Sequence, residues 1–433
     1  MSIWSQAKEM AVQTPPNRNR YVDFLRALSI LVVITGHWLI AAPTISNGTI
    51  AFEDLIALDP SIQWLTWMFQ VMPIFFIVGG YSNAVSLESA KRKSQSYEDW
   101  LVTRLNRLIT PLLALFVFWG CVALALNLGG MDKAFIAMAT KAALIPTWFL
   151  AIYILVVVLA PLTYRLWERF GFWSFLGFAG AATLVDACFF LADMTWLGWS
   201  NYLWVWLGVH QLGYAWRDGK LAVPSGLWLA AVLGGGAMAA LILVGPYPIA
   251  MVGSPDEGLS NTLPPKITLM LLGITQFSLL LLGEKPMRRV LDRVNLWAAT
   301  VLINSMIMTV FLWHMSIMLL FVGLSYLAGG FGLDVPPGGS AWWMLRPIWL
   351  LGLYTVLLPL AIPLAVLERR SLPEGAKTPS PIRLVAGALL ACTGVALIAL
   401  FGYGGAPVQG LGVGSLAMIL AGAWASGLFA RAS

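Results

Sequence analysis

Apolar residues run in long, nearly charge-free stretches separated by short polar and basic ones. Each stretch of about 20 residues is long enough to cross the hydrocarbon of a bilayer as a helix. The pattern predicts spans at 22–42, 62–86, 109–130, 146–164, 172–193, 199–216, 224–244, 266–283, 296–324, 344–366, 384–402 and 408–429. The expected fold class is an all-α polytopic membrane protein, with about ten helices as a core and two transmembrane helices added at the C-terminus. The segment "ERRSLPEGAKTPSPIR" separates them, because its prolines and charges end any continuous helix. The expected organisation is an N-terminal segment 1–21, a ten-helix membrane domain 22–366, a linker 367–383 and a Gly- and Ala-rich helix pair 384–433, suited to close packing.

Composition supports this reading: 59% of residues are hydrophobic and only 11% charged, too little polar surface to cover a soluble domain. Charge then sets orientation. With the N-terminus cytoplasmic, all but Lys133, Lys141, Lys266 and Arg346 of the 26 basic residues lie inside or at the inner boundary. That asymmetry is the positive-inside pattern. It places both termini in the cytoplasm, makes the inner or plasma membrane the expected location, and explains the net charge of +6 without a nucleic-acid partner. The stretch "NRNR" leads into a run that reads as an uncleaved anchor. Cys121, Cys188 and Cys392 sit in apolar runs with no metal-ligand spacing and read as small buried thiols, so no metal is expected. The external loops 43–61, 245–265 and 325–343 read as compact lids; "NGT" at Asn47 is a short match to a glycosylation acceptor.

Against this background the polar residues inside spans stand out, since intramembrane ionisable groups are costly and mark function. All three histidines, His37, His210 and His314, fall in predicted spans. His210, in "LGVHQLGYAW", reads as a structural histidine bonded to a neighbour; His314, in "FLWHMSIM", is equally open to either role. His37 shares its helix with Arg26. Eleven residues at 100° each bring the two onto one face about 16 Å apart along the axis. Asp23, three residues before Arg26, is placed to pair with it and lower its cost. Further along, Arg104 and Arg107 lie one turn apart in "WLVTRLNRLITPL". Two guanidiniums on one face suit phosphate, although the same charges also serve as ordinary positive-inside residues.

The stretch "RYVDFLRALSILVVITGHWL" resembles the first helix of the membrane-bound acyltransferase family 3, whose mark is Arg, ten residues, then His. Arg104-Leu-Asn-Arg107 is similar to that family's cytoplasmic Arg-x-x-Arg motif, and "MPIFFIVGGYSNA", "PTWFLAIYILVVVLAPL" and "FLWHMSI" resemble its second, fourth and a late helix. The likeness covers about residues 18–366. It implies an O-acyltransferase that moves an acyl group, commonly acetyl, from cytoplasmic acyl-CoA to a hydroxyl outside or within the membrane. The implied catalytic residues are His37, Arg26 and Asp23, with His37 as general base or acyl carrier. Arg104, Arg107, Arg92 and Tyr81 are the expected acyl-donor site, with acetyl-CoA or another acyl-CoA as co-substrate. Trp148 and His314 are candidates for the acceptor, an envelope glycan or glycolipid, although tryptophans near helix ends also form the interfacial belt. No extracytoplasmic hydrolase-like domain of the kind fused to some members is found, so transfer is expected to finish within the membrane domain. The alternative is a proton-coupled exporter of a small anionic or glycosidic substrate, for which Asp186 and Asp193 are the available acidic residues. The sequence leaves the oligomeric state open.

Overall fold

The computed structural model describes residues 3–16, 18–46, 48–253, 258–368, 378–404 and 409–429. Asn47 and most of the linker lie outside them. A short α1 (Ile3–Val12) precedes α2 (Arg20–Ile40), which starts where the Asn19 side chain accepts the Tyr21 and Val22 N–H groups. The chain then turns through an antiparallel hairpin, β1 (Ala41–Ser46) and β2 (Thr49–Asp54), with Ala41 opposite Asp54 and Ser46 opposite Thr49. The short helices α3 (Leu55–Leu58) and α4 (Thr66–Phe69) follow, then α5 (Met72–Arg92). The expected span 62–86 falls within one membrane-crossing segment, Pro60–Arg92, whose helix is interrupted at Gln70 and Val71. Pro73 has no N–H to donate to the preceding turn, and it sits in the first turn of α5, where that donor is not needed. Gln70 ties the break down, its amide donating to the Met251 carbonyl at 2.9 Å and accepting from Met72 N–H at 3.2 Å.

The helices continue as α6 (Tyr97–Leu128), α7 (Lys133–Leu144), α8 (Trp148–Phe170), α9 (Phe172–Leu191), α10 (Asn201–Arg217), α11 (Pro224–Leu243), α12 (Ile267–Leu282) and α13 (Glu284–Val290). The last are α14 (Val294–Ser305), α15 (Ile307–Leu327), α16 (Ser340–Leu364), α17 (Pro381–Phe401) and α18 (Gln409–Ala425). Among the described residues nine helices are long and apolar enough to cross a membrane, and ten if the bent pair α12–α13 counts as one span. The protein is an all-α, multi-pass membrane protein. Its outward surface agrees: Leu191, Leu184 and Val232 are large, apolar and exposed, which suits lipid and not water.

The span expected at 296–324 is also broken, at Met306 between α14 and α15. The Glu368 carboxylate accepts the Thr309 N–H at the new helix start, satisfying a donor that the break frees. Packing is tightest between α5 and α10. A Cβ on Gly80 would collide with the His210 carbonyl, and one on Gly213 with the Ile77 carbonyl, so only glycine allows these backbones to touch. The C-terminal pair is built in the same way, with Gly387 and Gly394 of α17 against Gly422 and Ser415 of α18. It docks on the core, where Tyr403 donates to the Phe116 carbonyl of α6 at 2.7 Å.

Two of the four basic residues expected towards the outer side, at the starts of their spans, are buried. Lys266 is wholly enclosed, its Nζ 3.8 Å from the Phe189 ring centroid and 3.3 Å from the Pro264 carbonyl. It stands beside Asp186, whose carboxylate accepts from Asn201 Nδ2 (2.8 Å), Tyr247 OH (3.1 Å) and the Ile267 N–H that opens α12 (2.8 Å). Arg346 is 2% exposed and packs between indoles of its own helix.

Candidate active site

The polar interior begins at the end of the bundle where α2 starts and α5 finishes, here called the basic end. Asp23 is buried and accepts from two arginines, Arg18 Nε at 2.6 Å and Arg26 NH1 at 3.3 Å. The Asn304 amide, at the α14–α15 break, donates to the Asp23 carbonyl at 2.9 Å. Arg26 has a second anchor in Ser82 Oγ of α5 at 2.6 Å, and Ser82 in turn donates to the Val78 carbonyl. The guanidinium is thus fixed by a carboxylate on its own helix and a hydroxyl on the next. Sequence reasoning found Asp23 through its spacing but missed Arg18 and Ser82. Ser82 follows Tyr81 directly in the glycine-containing segment, and that proximity was the available signal.

Around Arg26 the bundle collects positive charge. Arg104 is half-buried, lies 5.8 Å from the Trp100 ring centroid, and is within electrostatic reach of Arg107, Arg26 and the Tyr153 hydroxyl. Arg107 is exposed one turn further on. Among the described residues neither Arg104 nor Arg107 has a carboxylate partner. Tyr153 is hydrogen-bonded to Asn83, and the Asn83 amide also lies 3.1 Å from His210 Nε2, while His210 Nδ1 is buried without a partner. Gly79 makes room for this arrangement, since a Cβ there would press on the Tyr153 ring. Tyr81 is half-buried, accepts from Asn19 Nδ2 at 3.3 Å and packs 4.8 Å from the Trp216 ring. Arg92 stands apart, exposed on the last turn of α5.

Further along the same face of α2, His37 meets His314 of α15. The ring nitrogens His37 Nδ1 and His314 Nε2 are 2.9 Å apart, and the rings stack at 5.2 Å. The remaining His314 nitrogen, Nδ1, lies 2.5 Å from the Phe311 carbonyl, which can only accept. For neutral rings this fixes the protons in sequence. His314 Nδ1–H donates to Phe311, its Nε2 accepts from His37 Nδ1–H, and His37 Nε2 keeps an open lone pair. Trp38 Nε1 donates to the His314 carbonyl at 3.0 Å, and Thr35 bonds the Tyr354 hydroxyl of α16 at 2.7 Å, so three helices hold the pair. Gly36, beside His37, faces open space.

Other expected site residues are placed differently. Trp148 is half-buried against Tyr202 and Trp206 of α10 and belongs to an aromatic wall. Asp186 is the capped carboxylate described above, and Asp193 is exposed in the turn after α9, so neither offers an unpaired midplane acid. Among the described residues no group of three or more His, Cys, Asp or Glu is arranged to hold a metal.

His37, half-buried and paired with a second imidazole, thus lies further along the helix that carries Arg26 near its start, with Arg104 of α6 within reach of Arg26. In the comparison with known families, the model of the family described as "Acyltransferase domain", the membrane-bound acyltransferase family 3, matches residues 19–367. The match covers well over half of the chain, and the protein belongs to that family. No curated protein and no solved structure matches the chain significantly.

Proposed function

We propose that this membrane acyltransferase takes an acyl group, acetyl in the simplest case, from acyl-CoA at the basic end and delivers it to a hydroxyl of an envelope glycan or glycolipid. The basic end is then cytoplasmic and the membrane the inner or plasma membrane, as the positive-inside rule requires. One observation carries this reading: the only unengaged nitrogen of the His37–His314–Phe311 chain is His37 Nε2, the atom a general base must present.

In this scheme the CoA phosphates sit on Arg104 and Arg107, with Arg26 behind them. Forked guanidiniums match phosphate oxygens, and no carboxylate competes for Arg104 or Arg107 among the described residues. The arm reaches from there along α2 towards His37, about 16 Å away along the axis. His37 Nε2 removes the proton of the acceptor hydroxyl as its oxygen attacks the thioester carbonyl. The new C–O bond forms, the C–S bond breaks, and the proton passes to the departing thiolate. His314 holds the imidazole in the required tautomer and shares the charge that develops on it. Positioning and proton transfer of this kind supply the rate.

The test is label transfer from acyl-radiolabelled acetyl-CoA in inside-out membranes, with envelope fractions separated afterwards. Label that enters a lipid or glycan fraction in wild type and not in His37→Ala supports the scheme. Equal labelling in both, at matched expression, refutes it.

A further inference from the structure

At the opposite end of the bundle, next to the β1–β2 hairpin, Trp342, Arg346 and Trp349 occupy one face of α16 at i, i+4 and i+7. The Arg346 guanidinium carbon lies 4.2 Å from the Trp342 ring centroid and 5.0 Å from that of Trp349. NH2 donates to the Gly332 carbonyl at 3.0 Å. Four donors beside it, Arg346 Nε and NH1 and the indole Nε1 atoms of Trp342 and Trp349, are buried without any partner. No carboxylate pairs with Arg346 among the described residues.

Buried donors are normally satisfied, so four orphans around one cation call for an acceptor. Water fits poorly, because it brings no charge to balance the enclosed guanidinium. An anion with two or more oxygens fits on both counts, balancing the charge and taking several N–H bonds at once. The cage also lies over the proposed reaction centre. Tyr354 is level with Thr35, to which it is bonded. Arg346 is eight residues outward of Tyr354 on α16, and His37 two residues outward of Thr35 on α2. The difference is about 9 Å along the axis, in the range of one sugar ring with its substituent. Gly332, in the loop that covers the cage, has φ +72°, and a Cβ there would press on the Trp349 ring. The loop is pinned to the hairpin where Thr44 Oγ1 and Ile45 N–H both donate to the Leu333 carbonyl (3.1 and 2.8 Å).

Building on the acyl-transfer reading, we propose that Arg346 with Trp342 and Trp349 forms a seat for an anionic oxygen group of the acceptor, a carboxylate or phosphate, entering beneath the 328–339 loop and presenting a hydroxyl to His37. The acceptor is therefore an acidic glycan or a phosphate-bearing lipid.

The test is binding to the full chain in phosphatidylcholine nanodiscs without acyl-CoA, using glucuronate, glucose 1-phosphate and glucose as probes. At least one anion should bind tenfold or more tightly than glucose, and Arg346→Gln should erase that preference while Arg346→Lys keeps part of it. If Arg346→Gln does not fold, Trp349→Phe, which removes one donor and keeps a ring, should weaken anion binding several-fold. Repeating the titration in phosphatidylglycerol nanodiscs separates the sources: competition assigns the seat to a lipid headgroup, no competition to a glycan anion. Equal binding of all three probes, or a preference unchanged by both substitutions, overturns the seat. The enzyme reading fails separately, through label transfer that does not depend on His37.

Discussion

The bundle treats the charges around Asp186 and those around Arg26 in opposite ways. At the hairpin end the Asp186 carboxylate accepts from Asn201, Tyr247 and the Ile267 N–H, with Lys266 beside it. Three donors engage that carboxylate, and they tie α9, α10 and the loop before α12 together. At the basic end Arg26 shares Asp23 with Arg18, while Arg104 and Arg107 have no carboxylate among the described residues. Around Asp186 the carboxylate has its partners; around Arg26 the arginines outnumber the carboxylates they touch. The difference lies in the balance of partners, since both places hold charge inside the bundle.

That contrast is open to direct attack, and the largest effect should come from the base itself. His37→Ala should lower acyl transfer by about 10³-fold with acyl-CoA binding retained, as removal of a general base does; single-turnover label transfer measures it. Next, His314→Ala should cost about 10–100-fold in kcat with little change in KM, because the base remains but its tautomer is no longer fixed. His314→Asn, whose amide oxygen can still accept from His37 Nδ1–H, should recover part of the loss. Arg104→Gln should raise the KM for acyl-CoA about tenfold, matching one charge-assisted contact of 1.5–3 kcal/mol. Its residual binding should be less salt-sensitive than wild type. The smallest effect on turnover belongs to Asp186→Asn. It should leave KM and kcat of the folded protein within about twofold while lowering stability by about 2 kcal/mol, followed by thermal unfolding in detergent. A changed KM there, or an unchanged one in Arg104→Gln, would erase the distinction between the two places.

Much of α2 was legible in the sequence because its features are local. Arg26 and His37 share a face by helical periodicity, and Asp23 reaches Arg26 at 3.3 Å as an i,i+3 pair. The two helix breaks were not legible as such. Pro73 signalled one, but Gln70 holds it by bonding the Met251 carbonyl across the bundle; the break at Met306 is closed by Glu368 from beyond α16. Long-range pairing hid the rest. His314 was open to either role in the sequence, and its place against His37 was hidden because only the packing of α2 on α15 creates it. That Lys266 and Arg346 are enclosed was not legible either, because position at the end of a span says nothing of burial. Asp186 read as a candidate transport acid for the same reason: three of its neighbours lie on other elements.

The Gly80–Gly213 contact has a mechanical consequence. Backbones that touch without intervening side chains leave nothing to compress or rotate, so α5 and α10 behave as a single beam. Ser82, Asn83 and His210 all ride on that beam, and Arg26 is moored to it through Ser82. α15 joins the core differently, through side chains that reach α2 and α6: His314 to His37 and Ser316 to Trp119. One contact is a weld, the other a set of bolts.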